Sequence, residues 1–327
     1  MIRVIKYVKP HLEKRGIQLI LLEIANNTTF TRSIARIVLK QRAFQFDFVV
    51  FNALASLLSH NSLMIHQLAR LFNVPQIIYW HERDMAFSEL EQLRPELVKV
   101  ADRIASFKAM QHLAVSQASH DTIAERYGVN AEIVFGCSDT PSSFSIPVLP
   151  TDDPPTVIGC GTIQYKKGTD LFVETAIKVC QIHPTAEFIW LGAGWDYDNW
   201  KQTLESSGFS NRILFPGHVD SPFMFLRRAS VFFLSSRQDA FPLVNLEAMC
   251  LGRKVVTFHS GGAVEALDGC GVVIDNFNTD QAAEAILNIL RISKDQRIDL
   301  DARQRYLSLY TPEKHAERLD QALRSVI

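Results

Sequence analysis

The fold is decided by the stretch Val231–Leu267, which reads VFFLSSRQDAFPLVNLEAMCLGRKVVTFHSGGAVEAL. Its apolar run Val231–Leu234 is typical of a buried parallel strand. Pro242 suits the first position of the next helix, because its missing N–H would be unpaired there anyway, and Gly252 is a typical residue just past a helix end. Lys254–Phe258 predicts another strand, and a glycine turn and a second helix follow it. Strands alternating with helices in this way predict an α/β fold.

Two acidic residues, Asp239 and Glu247, flank the start of the predicted helix. Free backbone N–H groups from Leu243 onward, together with the positive end of the helix dipole, favour an anionic group there. Glu247 lies about one turn further along the same face, where its carboxylate can accept hydrogen bonds from hydroxyls. Amide donors beside a carboxylate suit a nucleotide sugar. From the spacing alone, a surface-loop Asp and a helix Glu paired with a basic side chain are an equally good interpretation.

The residues between and after these acids carry a family resemblance. They are Ala240, Phe241, Pro242, Leu243 and Val244, followed by Gly261, Gly262 and Glu265. The stretch resembles the Glu-x7-Glu region of the retaining glycosyltransferases of group 1 (family four), which have the GT-B fold. The resemblance implies that Glu247 binds the nucleotide ribose, that Asp239 lies near the donor sugar's hydroxyls, and that the loop amides hold the diphosphate and sugar. Asp239 stands where the family usually has Glu, and Ala240 where Gly is common.

Composition bounds the function classes. The chain has 327 residues, enough for two domains, and its 47% hydrophobic and 21% charged residues are typical of a globular protein. Lys and Arg number 34 against 35 Asp and Glu, a net charge of −1, which argues against nucleic-acid binding through bulk charge. The sequence has no apolar run of about 18 residues, as a membrane span needs, and its start lacks the apolar core of a signal peptide. We therefore expect a cytoplasmic protein.

The cysteines are scattered and form no CxxC pair. They are Cys137, Cys160, Cys180, Cys250 and Cys270. This pattern predicts reduced, mostly buried thiols rather than a disulfide framework or a zinc site. We expect no metal and no cofactor, the nucleotide sugar being a co-substrate.

The first predicted domain covers residues 1–140 and alternates helices with strands. The predicted helices are 2–15, 31–40, 62–72, 89–99 and 117–127, and the predicted strands are 17–24, 46–51, 76–79, 112–116 and 132–135. This rhythm predicts a parallel, Rossmann-like sheet. A group 1 N-terminal domain, which is the acceptor side, normally starts with a strand and a Gly-rich loop. This chain starts with a helix, so we expect that strand to be missing or to lie upstream.

His81 follows the predicted strand 76–79, and the carboxyl ends of parallel strands face the ligand crevice. The family often carries a His in this loop, contacting the donor sugar or the acceptor, and His81 is the matching position. A capping or surface His is the alternative. Asp102–Met110 combines basic and apolar residues, which fits either a plain amphipathic helix or a helix in peripheral contact with the inner membrane face.

A proline-rich linker, residues 141–155, separates the two predicted domains. The second domain, residues 156–327, is predicted to bind the nucleotide sugar in a Rossmann-like fold. Its last helix, Pro312–Val326, returns to the first domain in GT-B proteins. The GCGTIQ sequence at 159–164 has Gln164 where a dinucleotide fingerprint needs its third Gly, and no helix is predicted to open there.

The segment Gly161–Leu171 resembles the family's G-R-L-x-x-x-K-G-x-D-x-L stretch, whose Arg and Lys neutralise the donor diphosphate. Lys167 matches the Lys, and Thr162 stands at the Arg position. Lys166, next to Lys167, can compensate for the lost charge. Fixed cations stabilise the charge that develops on a leaving diphosphate. A pair of solvated loop lysines is the alternative.

The resemblance implies transfer of a glycosyl group from a nucleotide sugar to a glycan, lipid or small-molecule acceptor, with retention at the anomeric carbon. Lys167 and the 241–244 amides stabilise the leaving diphosphate, and His81 faces the reacting sugar. The departing phosphate deprotonates the acceptor in such enzymes, so no protein base is required. Two alternatives stay open: an inactive glycosyltransferase-like binding or scaffold protein, and a GT-B nucleotide-sugar epimerase.

Overall fold

The computed structural model describes residues 9–15, 49–52, 60–71, 73–107, 110–138, 140, 145–147, 149, 153–194 and 197–325. The chain forms two compact units: Met1–Gly136 together with Pro312–Ile327, and Cys137–Thr311. The predicted helix 31–40 and strand 17–24 lie outside the described residues, as do half of the predicted helix 2–15 and part of the strand 46–51. No helix among the described residues has the length and apolar character needed to cross a membrane.

The elements of the described residues alternate along the chain. The strands are β1 Val49–Asn52, β2 Gln76–Trp80, β3 Met110–Ala114, β4 Glu132–Ile133, β5 Thr156–Cys160, β6 Glu187–Leu191, β7 Ile213–Gly217, β8 Val231–Leu234, β9 Lys254–Phe258 and β10 Val272–Ile274. The helices are α1 His60–Leu71, α2 Asp84–Leu93, α3 Pro95–Ala105, α4 Gln117–Tyr127, α5 Thr169–Ile182, α6 Tyr197–Ser207, α7 Pro222–Leu226, α8 Leu243–Cys250, α9 Gly262–Leu267, α10 Thr279–Arg291, α11 Leu300–Leu309 and α12 Pro312–Arg324.

The first unit contains a parallel sheet in the order β1-β2-β3-β4 within the described residues. Helix α4 has the bounds that the sequence predicts: the Ser116 hydroxyl accepts the Ser119 N–H at 3.1 Å at its start, and Gly128, with φ +65°, ends it. Helix α12 belongs to this unit. Its buried His315 lies with Nδ1 2.6 Å from the Phe135 carbonyl. This contact attaches the C-terminal helix to the first unit.

Two predictions in this unit are wrong. The predicted helix 89–99 is two helices, α2 and α3, because Arg94 leaves the helical conformation and Pro95 begins α3. Proline favours extended backbone in the residue before it and is well suited to a helix's first turn. The predicted amphipathic helix Asp102–Met110 does not form either, since α3 ends at Ala105 and Met110 begins β3. The membrane-contact prediction therefore loses the helix on which it depended.

The second unit has a parallel sheet in the order β10-β9-β8-β5-β6-β7 within the described residues. Aromatic rings fill its core, with centroids 5.1 Å apart for Phe172 and Trp190 and 5.5 Å apart for Phe233 and Phe258. Such edge-to-face contacts stabilise a core beyond their buried area. The predicted α/β class, with two parallel sheets, is confirmed.

The strand order places a topological switch point between β5 and β8. The chain runs outward from β5 through β6 to β7, then returns to β8 beside β5 and runs outward the other way to β10. Ligands of open α/β sheets bind outside the carboxyl ends of the strands at this point. The loops after β5 and β8 are therefore the first place to look for a site.

The deciding stretch folds as predicted, with one difference. Strands β8 and β9 have the predicted bounds, and Gly252, with φ +62°, follows the end of α8. Helix α8 begins at Leu243, one residue later than predicted. Pro242 keeps an extended ψ of 112° and precedes the helix, with its carbonyl accepting the Asn245 N–H at 3.0 Å.

Candidate functional site

The loop after β5 makes a single 3-10 turn, Tyr165–Lys167, before helix α5 begins. Gly168 joins the turn to the helix at φ +65°, and a Cβ on it would lie 1.9 Å from the Ser235 carbonyl oxygen. Only glycine allows this approach. The β5 loop therefore lies directly against the loop that follows β8, as the switch point requires.

The two loops bring Lys167 and Asp239 together. Lys167 Nζ lies 2.5 Å from an Asp239 carboxylate oxygen, and the two side chains are 25% and 11% exposed. The Asp239 backbone is held by the turn after β9: its N–H donates to the Ser260 carbonyl at 2.9 Å, and its carbonyl accepts the Gly262 N–H at 3.1 Å. The predicted diphosphate-binding and sugar-binding groups are thus an ion pair in this structure.

Glu247 lies in the second turn of α8 and is buried, with 7% exposure. The Glu247 carboxylate affects the Cys160 thiol at the end of β5. Burial, together with Glu247, raises the pKa of Cys160 to about 12, although Lys167 opposes the shift. The thiol therefore stays protonated at physiological pH. Glu247 and Lys167 both act electrostatically on Cys160, so two predicted site residues lie near the carboxyl end of β5.

The segment 241–244 forms the approach to helix α8. Phe241 is buried and packs edge-to-face on Tyr310, with centroids 5.5 Å apart. Pro242 is buried as well, whereas Leu243 and Val244 are half-buried. No side chain caps the start of this helix. A helix start without a side-chain cap keeps its amide donors available for an anionic ligand.

The remaining predicted donor-binding residues lie on the β5 loop. The Gly161 carbonyl accepts the indole N–H of Trp190 at 3.0 Å, which fixes the start of the loop. Thr162 is exposed, and Lys166 is half-buried. The Lys166 carbonyl accepts the backbone N–H of Arg237 at 2.9 Å.

Arg237 is a residue that the sequence analysis did not single out. Its guanidinium binds both carboxylate oxygens of Asp170, at 2.7 and 2.5 Å, and the Tyr165 carbonyl at 2.8 Å. It also lies 3.8 Å from the centre of the Tyr165 ring. The hydrogen bonds to Asp170 raise the pKa of Arg237. No local pattern could reveal this contact, because Arg237 and Asp170 are 67 residues apart in the sequence.

His81 lies in the first unit, directly after β2. Its ring packs on Tyr79, with centroids 4.4 Å apart, and its backbone N–H donates to the Glu82 carboxylate at 2.9 Å. Burial, together with the neighbouring His315, lowers the pKa of His81 to about 3. The ring is therefore neutral at physiological pH, and it can donate or accept a single hydrogen bond at each nitrogen but carries no charge.

The cysteines are free thiols in the structure, and three of them, Cys137, Cys180 and Cys250, are buried. Within the described ranges, no three His, Cys, Asp or Glu side chains are grouped so that they could hold a metal ion.

Comparison with known proteins gives the same class of fold. The chain is similar to the crystal structure of Anabaena Alr3699/HepE in complex with UDP and glucose, with a TM-score of 0.74 at 18% identity over 97% of this chain and 89% of that one. It is also similar to sucrose-phosphate synthase (tll1590) from Thermosynechococcus elongatus, with a TM-score of 0.72 at 19% identity over 91% and 78%. The chain has the GT-B fold of glycosyltransferases.

The sequence comparisons give a family match within the second unit. Residues 154–291 match the family described as Glycosyl transferases group 1. The phosphatidylinositol N-acetylglucosaminyltransferase subunit of Arabidopsis thaliana is 28% identical over 187 residues, 56% of this chain and 42% of that protein. The Salmonella typhi Vi polysaccharide biosynthesis protein VipC/TviE is 31% identical over 151 residues, 43% of this chain and 26% of that protein. The chain thus matches less than half the length of these relatives.

Proposed function

We propose that this protein is a retaining glycosyltransferase that moves a sugar from a nucleotide-sugar donor to an acceptor hydroxyl. The observation that carries the proposal is the ion pair of Lys167 and Asp239 at the switch point of a group 1 domain. Beside it lie the buried Glu247 and the start of helix α8, which has no side-chain cap. The cation and the backbone amides suit the diphosphate of a nucleotide sugar, and the two carboxylates suit the hydroxyls of its ribose and its sugar.

In the proposed reaction, Lys167 and the amides at the start of α8 stabilise the negative charge that grows on the departing diphosphate. Such preorganised donors act mainly on the transition state, where that charge is largest. Glu247 accepts hydrogen bonds from the ribose, and Asp239 from the donor sugar. Lys166 supplies a second positive charge near the phosphates. The neutral ring of His81 is suited to a hydrogen bond with the reacting sugar rather than to charge stabilisation.

The acceptor class that we propose is a glycan or a lipid-linked acceptor. Two relatives support this choice by their names, the Vi polysaccharide biosynthesis protein of Salmonella typhi and the phosphatidylinositol N-acetylglucosaminyltransferase subunit of Arabidopsis thaliana. Peripheral binding to a membrane would bring the enzyme to a lipid-linked acceptor. UDP is the first nucleotide to test, since Anabaena Alr3699/HepE was crystallised with it.

The test is donor turnover. The chain is incubated with UDP-, GDP- and ADP-sugars, with and without a glycan acceptor mixture, and the released nucleoside diphosphate is measured. We expect slow hydrolysis of one donor, faster release with acceptor, and loss of both in Lys167→Ala. Neither is lost in Lys178→Ala, since Lys178 lies on helix α5 and pairs with Glu174 and Asp280. The coupling constant of the anomeric proton in the NMR spectrum gives the anomeric configuration of the product. Retention means that this configuration is the same as that of the donor.

Three results would contradict the proposal. Binding of a nucleotide sugar without any turnover would support an inactive, binding glycosyltransferase-like protein. Consumption of the donor without an acceptor and release of an altered sugar would support an epimerase. A product with inverted anomeric configuration would exclude the retaining mechanism.

A further inference from the structure

The loop that carries Lys167 is bound along three successive carbonyl oxygens by the loop that follows β8. The Tyr165 carbonyl accepts the Arg237 guanidinium at 2.8 Å, and the Lys166 carbonyl accepts the Arg237 backbone N–H at 2.9 Å. The Lys167 carbonyl accepts the Ser235 hydroxyl at 3.2 Å. A single 3-10 turn has few internal hydrogen bonds, so these external bonds decide where the Lys167 side chain starts.

Arg237 makes the strongest of these attachments. Its planar guanidinium meets the Asp170 carboxylate through two parallel hydrogen bonds, at 2.7 and 2.5 Å. Bidentate pairs of this kind fix direction as well as distance. The Arg237 side chain is 14% exposed and the Asp170 side chain 37% exposed, so water screens the pair in part. One face of the Tyr165 ring covers the guanidinium from 3.8 Å, although the ring itself is 68% exposed.

These contacts connect the two halves of the candidate site. Asp170 lies in the first turn of helix α5, and Arg237 lies two residues before Asp239. The clamp formed by Arg237, Asp170 and Tyr165 therefore holds the loop of Lys167 and the loop of Asp239 at a fixed separation. A Lys side chain loses rotamer entropy when it binds a ligand, and a fixed backbone beneath it reduces the freedom that the ligand must restrict.

We propose that Arg237 is a positioning residue, which acts through Asp170 and Tyr165 to hold the Lys167 ammonium where it meets a nucleoside diphosphate. The inference rests on the proposed function for its ligand, but the clamp has a measurable effect on Lys167 without any ligand. It assigns to the guanidinium a role distinct from diphosphate binding, because three of its five N–H donors are already bound to Asp170 and Tyr165.

The first experiment measures the acylation of Lys167 by sulfo-N-hydroxysuccinimidyl acetate, quantified by peptide mass spectrometry. Lys178 and Lys254 in the same molecule serve as internal references. We expect Arg237→Ala and Asp170→Asn to accelerate Lys167 acylation about threefold or more relative to these lysines, because the paired ammonium is loosened. Arg237→Lys restores only part of the protection, since an ammonium cannot form the two parallel bonds.

The matched control is Arg212→Ala. Arg212 also binds three backbone carbonyls, those of Cys180, His183 and Pro184, and lies 4.9 Å from the centre of the Phe209 ring. It does so where helix α5 leads into β6, at the opposite end of the sheet from Lys167. Its loss is expected to lower stability without changing the relative acylation of Lys167. Unchanged acylation in folded Arg237→Ala, or an equal change in Arg212→Ala, would overturn the inference.

The second experiment measures binding of UDP, GDP and ADP by calorimetry. We expect Arg237→Ala and Asp170→Asn to lower the affinity for the nucleotide about tenfold, and Arg212→Ala to leave that affinity unchanged. If Arg237 bound the diphosphate directly, removing the charge of Asp170 would leave affinity unchanged or raise it, which would overturn the positioning role. If the wild-type chain bound no nucleotide while the acylation results held, the proposed function would fail and the clamp would stand.

Discussion

Gly168 is the residue on which the contact between the two site loops depends. It has φ +65°, and a Cβ on it would lie 1.9 Å from the Ser235 carbonyl oxygen. We expect Gly168→Ala to lower the free energy of unfolding by roughly 2–4 kcal/mol, because the backbone of one loop must shift as well as accept left-handed strain. Denaturant unfolding measures this loss.

Gly208 provides the control for this substitution. It also has a left-handed φ, +77°, but a Cβ on it would meet nothing within 4 Å. We expect Gly208→Ala to lower the free energy of unfolding by only about 1 kcal/mol, from backbone strain alone. Equal losses in the two variants would show that the close approach of the loops at Gly168 has no energetic consequence.

His112 gives the stability of the first unit a pH dependence. The Trp80 indole N–H donates to His112 Nδ1 at 3.0 Å, and burial lowers the pKa of His112 to about 4. Between the unfolded pKa of about 6.5 and the folded pKa, the unfolded chain gains a proton that the folded chain does not. The free energy of unfolding therefore falls as the pH falls through this window, by up to about 1.4 kcal/mol per pH unit for this group.

The measurement is the slope of unfolding free energy against pH from 7 to 5, in wild type and His112→Gln. Glutamine has no titration here, so the variant is expected to show a shallower slope. His120→Gln is the control of opposite sign, because hydrogen bonds to Asp121 and Asn130 raise the pKa of His120. That group stabilises the folded state at low pH, so its removal steepens the slope. An unchanged slope in His112→Gln would contradict the prediction.

At the scale of elements, the sequence predicts the bounds of those strands and helices that contacts between nearby residues determine. The apolar runs of β8 and β9 are buried strands, and the sequence therefore predicts their bounds. Ser116 and Gly128 similarly mark helix α4 through capping contacts within a few residues. Pro95 is a local signal for a break between two helices, and the prediction of one continuous helix over 89–99 did not take it into account.

The candidate site was predictable only in part. The approach of Lys167 to Asp239 brings together residues 72 positions apart, and the clamp on Arg237 joins residues 67 apart. Neither pairing leaves a periodic or spacing signal, because both arise from the strand order around the switch point. A family resemblance gave the residue types but not the ion pair between them.

Helix α12 is the element that closes the first unit. It buries His315, Ala316 and Leu323, and its Asp320 binds Arg15 at 3.3 Å. We expect a chain ending after Thr311 to lose hydrogen-exchange protection in β1–β4, because these contacts cover the unit, while β5–β10 keep their protection. A chain ending at Ser325 is the control. Retained protection of β1–β4 without α12 would contradict this role.

At the scale of the whole molecule, each unit carries its own parallel sheet and core, and the group 1 match covers most of the second unit. We propose above all that this second unit binds a nucleoside diphosphate through Lys167 and Glu247. Binding to the folded state alone stabilises it by mass action, so both calorimetry and thermal unfolding report it.

The most direct measurement is a titration of the wild-type chain with UDP, GDP and ADP, repeated with Lys167→Ala, Glu247→Ala and the control Lys178→Ala. We expect one nucleotide to bind and to raise the unfolding temperature. Its affinity is expected to fall about tenfold or more in Lys167→Ala and Glu247→Ala, which each lose a charged partner of the ligand, and to be unchanged in Lys178→Ala. Absence of binding to any of the three nucleotides, or equal affinity in all four proteins, would contradict it.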